Sequence, residues 1–193
     1  VRHALYPVAQ HLKTALLLKM LENIDTESVL VFTRTKHRAK TLDKKLSTAG
    51  YRSASLQGNL SQGRRQAALD GFRNGTYKIL VATDIAARGI DVTQISHVIN
   101  YDIPSTPDAY IHRIGRTGRA GVEGTAVSFA CDDDSYGIPD IEKYIGRDLP
   151  CSMPEEDLLI PIPADKLKAM RAMKPRPRPD ASSGGRAGRG GRG

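Results

Sequence analysis

The chain has 193 residues, of which 39% are hydrophobic and 26% charged, and this is enough to bury the core of one globular domain. It contains no run of about 18 uncharged apolar residues and no signal-peptide pattern, which argues against a membrane span and a secretory address. Cys131 and Cys151 are its only cysteines, without a CxxC pair or clustered histidines, which argues against a zinc site and a disulfide framework. We therefore expect reduced thiols and a cytoplasmic protein.

The formal net charge of +8 is concentrated at one end of the chain. Residues 1–165 contain 20 Lys plus Arg and 20 Asp plus Glu, whereas residues 166–193 contain nine basic residues and one acid. A nucleic-acid site in the first part must therefore consist of a few placed groups. The second part attracts phosphate without sequence preference.

Short β-branched runs alternate with helical patterns over the first 150 residues, which predicts an α/β fold, a parallel sheet with helices on both faces. The chain opens without an initiator Met and enters a strand-like segment at once, which favours a piece of a longer protein. Later strands are predicted at 29–33, 52–56, 79–83, 97–101 and 125–129. Helices are predicted at 10–22, 36–48, 62–73, after an N-cap at Thr106, and at 138–145. Gly50, Gly75 and Gly146 follow three of the helix ends as C-cap residues.

Residues 1–150 are expected to form the domain, followed by two less ordered segments. Residues 151–173 are predicted to be extended because prolines alternate with short apolar runs. Residues 174–193 are rich in Arg, Gly and Pro and are predicted to be disordered, since they cannot bury apolar area to offset chain entropy. This basic tail is either a flexible linker or, from its RGG-like spacing, an RNA tether.

Residues 110–121 concentrate arginines among glycines. If a helix runs through this segment, His112, Arg116 and Arg119 fall within about 60° of arc, and Arg113 lies about 100° from His112. A solvated basic helix is the ordinary interpretation of such a run. The interleaved glycines and the lack of compensating acids instead favour a different role, in which Arg116 and Arg119 bind a phosphoryl group during its transfer.

Three predicted strands are followed by polar groups where ligands of α/β sheets gather, beyond the carboxyl ends of the strands. One set comprises Thr83, Asp84, Arg88 and Asp91. The other two sets, within residues 32–36 and 56–65, place polar or glycine-rich turns before helix N termini, a geometry that binds anions. Ser61 has the alternative role of a plain N-cap.

These segments, in this order, resemble the C-terminal domain of DEAD-box RNA helicases over residues 1 to about 150. Residues 33–36 resemble motif IV, and residues 58–62 with Arg65 resemble the QxxR segment. Residues 83–91 resemble motif V, and residues 112–119, HRIGRTGR, match motif VI. The family usually has His-Gly-Asp where this chain has Gln57, Gly58 and Asn59, so only the backbone role of Gly58 carries over.

The resemblance implies a RecA-like domain and a role for each matching residue. Arg116 and Arg119 are expected as arginine fingers on the γ-phosphate of ATP, and Asp91 as a contact to the ribose. Links between two motor domains are expected at Asp84, His112 and Arg113. RNA contacts are expected at Arg34, Thr35, Gly58, Gln62, Arg65 and Thr83.

A phosphate-binding loop of the form GxxxxGK[ST] is absent from the 193 residues. Residues 132–134 are three aspartates after a strand, and a solvated acidic turn is the favoured interpretation. The family resemblance therefore implies that an N-terminal RecA-like domain of the same protein holds ATP and Mg²⁺. We expect this chain alone to be inactive and to lack a metal site.

Within the family, residues 136–150 and 35–38 resemble the RhlB branch most, with RhlE-type proteins close. That branch implies bacterial RNA turnover and a partner, the RNase E scaffold of the RNA degradosome. Two functions are therefore expected, the C-terminal motor domain of an ATP-dependent RNA helicase and, as the alternative, a non-catalytic docking module for such a scaffold.

Overall fold

In this computed structural model, residues 1–24, 28–92, 95–118 and 121–152 are described. Their strands form one parallel sheet in the order β1-β6-β5-β2-β4-β3. The strands are β1 Arg2–Pro7, β2 Val29–Phe32, β3 Ser53–Leu56, β4 Ile79–Ala82, β5 His97–Asn100 and β6 Thr125–Ala130. The five bounded strand predictions are confirmed to within one residue at each end, and β1 is the strand-like opening segment.

The helices alternate with these strands as the sequence predicts. They are α1 Lys13–Asn23, α2 Lys36–Thr48, α3 Gln62–Arg73, α4 Asp84–Ala87, α5 Pro107–Ile114 and α6 Ile138–Ile145. Short 3₁₀ turns, Gln10–Leu12 and Ser135–Gly137, precede α1 and α6. Gly50, Gly75 and Gly146 adopt φ angles of 94°, 81° and 74°, which confirms them as left-handed residues after helix ends. The helix α4 was not predicted, because four residues are too few to show a helical period.

Both faces of the sheet are covered, as a parallel sheet requires. Val29 and Val31 of β2 belong to the core that α1 and α2 cover, while Leu30 and Phe32 belong to the core under α3 and α4. A third cluster, which includes Tyr110 of α5 and Ile141 of α6, packs beside β1 and β6. Alternate side chains of β2 therefore belong to two cores, one on each face of the sheet. Because both faces are covered, the strand ends are the place for a site.

The predicted helix after Thr106 is confirmed as α5, which ends at Ile114, so the helical arc assumed for His112 and Arg116 does not apply. Thr117 forms an isolated parallel bridge with Ile95, and its hydroxyl donates to the Ile95 carbonyl. A Cβ at Gly124 would lie 2.4 Å from the Gly118 backbone nitrogen, so the main chains at Gly118 and Gly124 are in direct contact. Pairing with residue 95 thus draws the chain out of the helix, and Arg116 lies on a turn.

The prediction of a solvated acidic turn at residues 132–134 is wrong for its last residue. Asp132 and Asp133 are exposed, but Asp134 is only 3% exposed. Its Oδ2 accepts from Lys13 Nζ at 2.9 Å, and its Oδ1 accepts from the Cys131 N–H at 2.8 Å. Lys13 is fully buried and also lies 3.3 Å from Asp102 Oδ1, so the acidic turn is anchored to α1 by a buried ion pair.

The end of the described chain runs beside β1. The Leu5 N–H donates to the Pro150 carbonyl, and the Ser152 N–H donates to the Leu5 carbonyl. The rest of the predicted extended segment and the whole predicted disordered tail lie outside the described residues. In the part of the chain that is described, no helix has the length and apolar character that crossing a membrane would need.

Candidate functional site

Three neighbouring strands, β2, β4 and β3, each lead into a helix at the same edge of the sheet. Each helix begins at a capping hydroxyl. Thr35 Oγ1 accepts from the Arg38 N–H at 3.1 Å, Ser61 Oγ from the Arg64 N–H at 3.3 Å, and Thr83 Oγ1 from the Ala86 N–H at 3.4 Å. The capping role of Ser61 is thereby confirmed. The sequence prediction of helix N termini gathered at one edge is also confirmed.

The predicted RNA-contacting residues fall into two groups at this edge. Arg34, Thr35, Gly58 and Gln62 are exposed, and a Cβ at Gly58 would meet open space. Two others lie further in. Thr83 is 9% exposed, and half-buried Arg65 donates from Nη2 to the Ala86 carbonyl at 2.8 Å. Arg65 therefore ties α3 to α4, while the exposed group forms an open surface.

The turn with Gln57, Gly58 and Asn59 is organised by its own side chains. Gln57 is 6% exposed and its Oε1 accepts from the Asn59 N–H at 2.9 Å. Lys36 Nζ donates to Asn59 Oδ1 at 3.2 Å. The two residues that depart from the usual family pattern therefore shape the turn that presents the Gly58 backbone.

A cleft of about 320 Å³ opens between α4 and α5 and brings the predicted segments 83–91 and 110–121 together. It is lined by Phe32, Asp84, Ala87, Arg88, Thr106, Asp108, Ala109, His112, Arg113 and Arg116. Three arginines and one exposed histidine therefore share this space with two carboxylates. Across the described ranges, no group of three or more His, Cys, Asp and Glu residues is placed to hold a metal ion.

Arg113 is the buried centre of the cleft wall. Its Nε donates to Asp84 Oδ1 at 2.7 Å and its Nη2 to Asp84 Oδ2 at 2.8 Å, a bidentate pair. Its Nη1 donates to the Asp102 carbonyl at 2.7 Å, and the guanidinium carbon lies 5.0 Å from the centre of the Phe32 ring. The Arg113 side chain is 2% exposed, whereas that of Asp84 is 38% exposed.

This geometry gives Arg113 a role inside the domain. It orients the Asp84 carboxylate from behind, so that Asp84 and exposed His112 present polar atoms to the cleft. A contact of Asp84, His112 and Arg113 with a second motor domain stays a prediction. Such a contact would reach Arg113 through Asp84.

Arg116 is held by the loop that follows α4. Its Nη1 donates to the Ile90 carbonyl and its Nη2 lies 3.4 Å from the Ala87 carbonyl. Two of its five N–H groups are used in these bonds, and a guanidinium that lines the cleft fits an anion. Arg119, the other predicted finger, lies outside the described residues.

Asp91 lies on the same loop as the carbonyls that hold Arg116. Its side chain is exposed, and its carbonyl accepts from Arg73 Nε and Nη2 at 3.2 and 3.1 Å. The loop that holds Arg116 therefore also exposes a carboxylate, and the guanidinium can donate to a phosphate while the carboxylate accepts from sugar hydroxyls.

The sequence analysis missed Asp102, which is fully buried just beyond β5. Its carboxylate accepts from the Arg34 N–H at 2.8 Å, from Arg38 Nη1 at 2.7 Å and from Lys13 Nζ at 3.3 Å. Burial alone would raise the pKa of Asp102, but the Arg34 N–H and the charges of Lys13 and Arg38 hold its pKa below the usual value. The available signal was an acid directly after a buried strand, at the edge where the other site residues gather.

Residues 12–121 match the family model described as the helicase conserved C-terminal domain. The chain is 44% identical over 159 residues to the ATP-dependent RNA helicase RhlB of Pseudomonas syringae pv. tomato, which covers 82% of this chain and 40% of that protein. The chain thus spans about 40% of the length of the curated relatives it matches.

Two solved structures share the fold. The E. coli DEAD-box protein SrmB, bound to the regulator of ribonuclease activity A (RraA), is 36% identical with a TM-score of 0.78, covering 82% of this chain and 94% of that one. Dbp5 of S. cerevisiae, bound to RNA and ADP BeF3, is 34% identical with a TM-score of 0.71, covering 89% of this chain and 44% of that one. The predicted RecA-like fold class is confirmed by this likeness.

Proposed function

Since this chain belongs to the helicase conserved C-terminal domain family, among the DEAD-box proteins, we propose that it is the second motor domain of an ATP-dependent RNA helicase. The observation that carries the proposal is the cleft between α4 and α5. It gathers Asp84, His112 and Arg116 at the strand-end edge where the exposed Arg34 and Thr35 also lie.

The cleft side is proposed to act on ATP. Arg116 and Arg119 contact the γ-phosphate, and Asp91 contacts the ribose. The carbonyls of Ala87 and Ile90 hold Arg116 before the nucleotide arrives, and preorganised cations of this kind stabilise charge that develops during phosphoryl transfer. ATP supplies the transferred phosphoryl group, and Mg²⁺ and the phosphate-binding loop belong to the N-terminal RecA-like domain of the same protein.

The exposed strand-end surface is proposed to bind the RNA backbone. Arg34, Thr35, Gly58 and Gln62 present a cation, a hydroxyl, an open backbone and an amide to solvent. Arg65 and Thr83 support this surface from behind at α4. A relative of this chain, Dbp5, has been solved with RNA and ADP BeF3, which supports a joint site for RNA and nucleotide in this family.

The activity is tested by unwinding of a short RNA duplex by the full-length protein that contains this chain. We expect strand release that requires ATP, is not supported by ADP, and is accompanied by RNA-stimulated ATP hydrolysis. We expect the protein to act in the cytoplasm. A full-length protein that releases no strand with ATP and hydrolyses ATP regardless of RNA contradicts the proposal.

A second function, docking of a protein scaffold, is supported by the surface around α6. Tyr136 is 75% exposed and Tyr144 is 59% exposed, and tyrosines are frequent anchors of protein interfaces. SrmB, which resembles this domain, was solved with the protein RraA bound. The proposed partner of this chain is a segment of RNase E or another degradosome scaffold.

Docking is tested by titrating an RNase E scaffold segment onto the 193-residue chain. We expect saturable binding that Tyr136→Ser weakens about tenfold, since tyrosines are frequent anchors of interfaces. Val122→Ser, at a site 71% exposed, is the matched control and leaves binding unchanged. Absence of binding, or equal binding by the Tyr136 variant, contradicts this function or its location.

A further inference from the structure

We infer that Asp102 is a positioning residue that couples the strand-end turn at Arg34 and Thr35 to the arginine wall of the cleft. The inference rests on the proposed function, because it names the route by which RNA bound at this domain influences the ATP side. Asp102 itself is fully buried, so it acts through the residues that it contacts.

The carboxylate of Asp102 accepts hydrogen bonds from residues on both sides of Thr35. Its Oδ2 accepts from the Arg34 N–H at 2.8 Å, and its Oδ1 accepts from Arg38 Nη1 at 2.7 Å. Thr35 lies between these two residues and caps α2 by accepting from the Arg38 N–H. The position of the turn is therefore set by one buried charge, and hydrogen bonds to a charged group are stronger than those between neutral groups.

The main chain of Asp102 reaches the cleft. Its carbonyl accepts from Arg113 Nη1 at 2.7 Å. Arg113 uses Nε and Nη2 on the Asp84 carboxylate, which lines the cleft. Three segments that are distant in the sequence, the turn after β2, the residues after β5 and the helix α5, therefore meet at residue 102. A displacement of the Arg34 turn therefore moves the Asp102 carbonyl, which accepts from Arg113.

The ordinary alternative is that Asp102 only balances the buried charge of Lys13. Asp134 separates the two explanations, because it is 3% exposed and accepts from the same Lys13 Nζ at 2.9 Å. The other acceptor bonds of Asp134 go to the backbone N–H groups of Ile103 and Cys131. It thus shares the burial and the ion pair of Asp102 without contacting Arg34 or Arg113.

Replacement of Asp102 by Asn keeps the shape of the side chain and replaces one of its two acceptor oxygens with a donor. In the wild type, donors from Arg34, Arg38 and Lys13 converge on two carboxylate oxygens. The Asn amide has one oxygen and one NH₂ group. In either orientation of the amide, the NH₂ group therefore faces one of the donors that the carboxylate accepted from. The turn at Arg34 or the pair with Arg38 is then lost.

The test measures ATP hydrolysis by the full-length protein as a function of RNA concentration. Asp102→Asn is expected to raise the RNA concentration for half-maximal stimulation about tenfold, a typical size for coupling between two sites, with a change of less than about twofold in the KM for ATP. Asp134→Asn is expected to change both quantities by less than about twofold. Both variants are expected to lower the melting temperature.

Three results overturn the inference. One is an unchanged RNA dependence in Asp102→Asn, and another is an equal rise in both variants, which reflects general loosening of the core. The third is a wild-type protein whose ATP hydrolysis ignores RNA, and only this result also removes the proposed function.

If Asp102→Asn does not fold, Arg38→Met provides the same test, because the Arg38 side chain is 38% exposed and its removal leaves the Lys13 pair in place. We expect about a threefold rise in the half-maximal RNA concentration with an unchanged salt dependence of RNA binding. A direct phosphate contact instead lowers the slope of log affinity against log salt by about one, and that result assigns Arg38 to RNA binding and overturns the positioning role.

Discussion

Arg116→Ala in the full-length protein is expected to lower the rate of RNA-stimulated ATP hydrolysis about 10³-fold or more. Arginine fingers contribute about 10³ to 10⁵ in rate, or roughly 4 to 7 kcal/mol of transition-state stabilisation. The fold should change little, because within the described ranges Arg116 donates to the carbonyls of Ala87 and Ile90 and a typical hydrogen bond contributes about 1 kcal/mol. Steady-state ATP hydrolysis with saturating RNA measures the loss.

RNA affinity and melting temperature separate this effect from misfolding. Arg147→Ala is the matched control, because Arg147 is an exposed arginine beyond α6 that does not line the cleft. We expect the control to retain hydrolysis within about twofold, since most exposed substitutions are nearly neutral. Substantial turnover by Arg116→Ala removes Arg116 from the ATP site. The same substitution at Arg119 is expected to be equally damaging.

Lys13→Met is expected to lower the free energy of unfolding by about 3 to 5 kcal/mol. Lys13 is fully buried, and its loss leaves Asp102 and Asp134 in the core without their shared cation. Removal of one partner from a buried ion pair has a cost of this size, because the remaining charge is desolvated and uncompensated. Equilibrium denaturation at pH 7 measures the change.

Lys19→Met makes the same chemical change on the same helix and is the control. Lys19 forms a surface pair with Glu22 at 3.5 Å, so its loss should change the free energy of unfolding by less than about 0.5 kcal/mol. Equal effects of the two substitutions contradict the buried network.

The deficit of Lys13→Met should also depend on pH. Burial acts to raise the pKa of Asp102, but the Arg34 N–H and the charges of Lys13 and Arg38 lower it overall. A carboxyl with a lowered pKa stabilises the fold above the unfolded value of about 4 and loses this contribution as the pH falls through its folded value. The difference between wild type and Lys13→Met should therefore be largest near neutral pH and shrink below about pH 4.

Most of the fold could be predicted from the sequence because most helices and strands produce patterns among neighbouring residues. The buried runs of β2 and β4, the periods of α2 and α3, and the capping sequence at Thr106 each lie within a few neighbouring residues. The end of α5 could not be predicted this way, since it is set by the pairing of Thr117 with Ile95. A helical pattern carries no sign of a bridge to a distant segment.

The candidate site, like the fold, could be predicted from the sequence only in part. Strand-end position singled out Asp84, the run of arginines and glycines singled out His112 and Arg116, and the structure places all three along one cleft. The burial of Arg113 and the role of Asp102 depend on contacts between residues 11 and 89 positions apart, which no single-sequence pattern reports. Lys13 looked like one more charge in a helix and is instead the buried cation of the network.

We propose that this chain carries the arginines of an ATP site whose phosphate-binding loop lies in another domain. The decisive experiment measures ATP hydrolysis, with and without RNA, by the 193-residue chain alone and by the full-length protein at equal concentration. We expect no hydrolysis above background by the chain alone and RNA-stimulated hydrolysis by the full-length protein. Hydrolysis of ATP by the 193-residue chain alone would contradict this proposal.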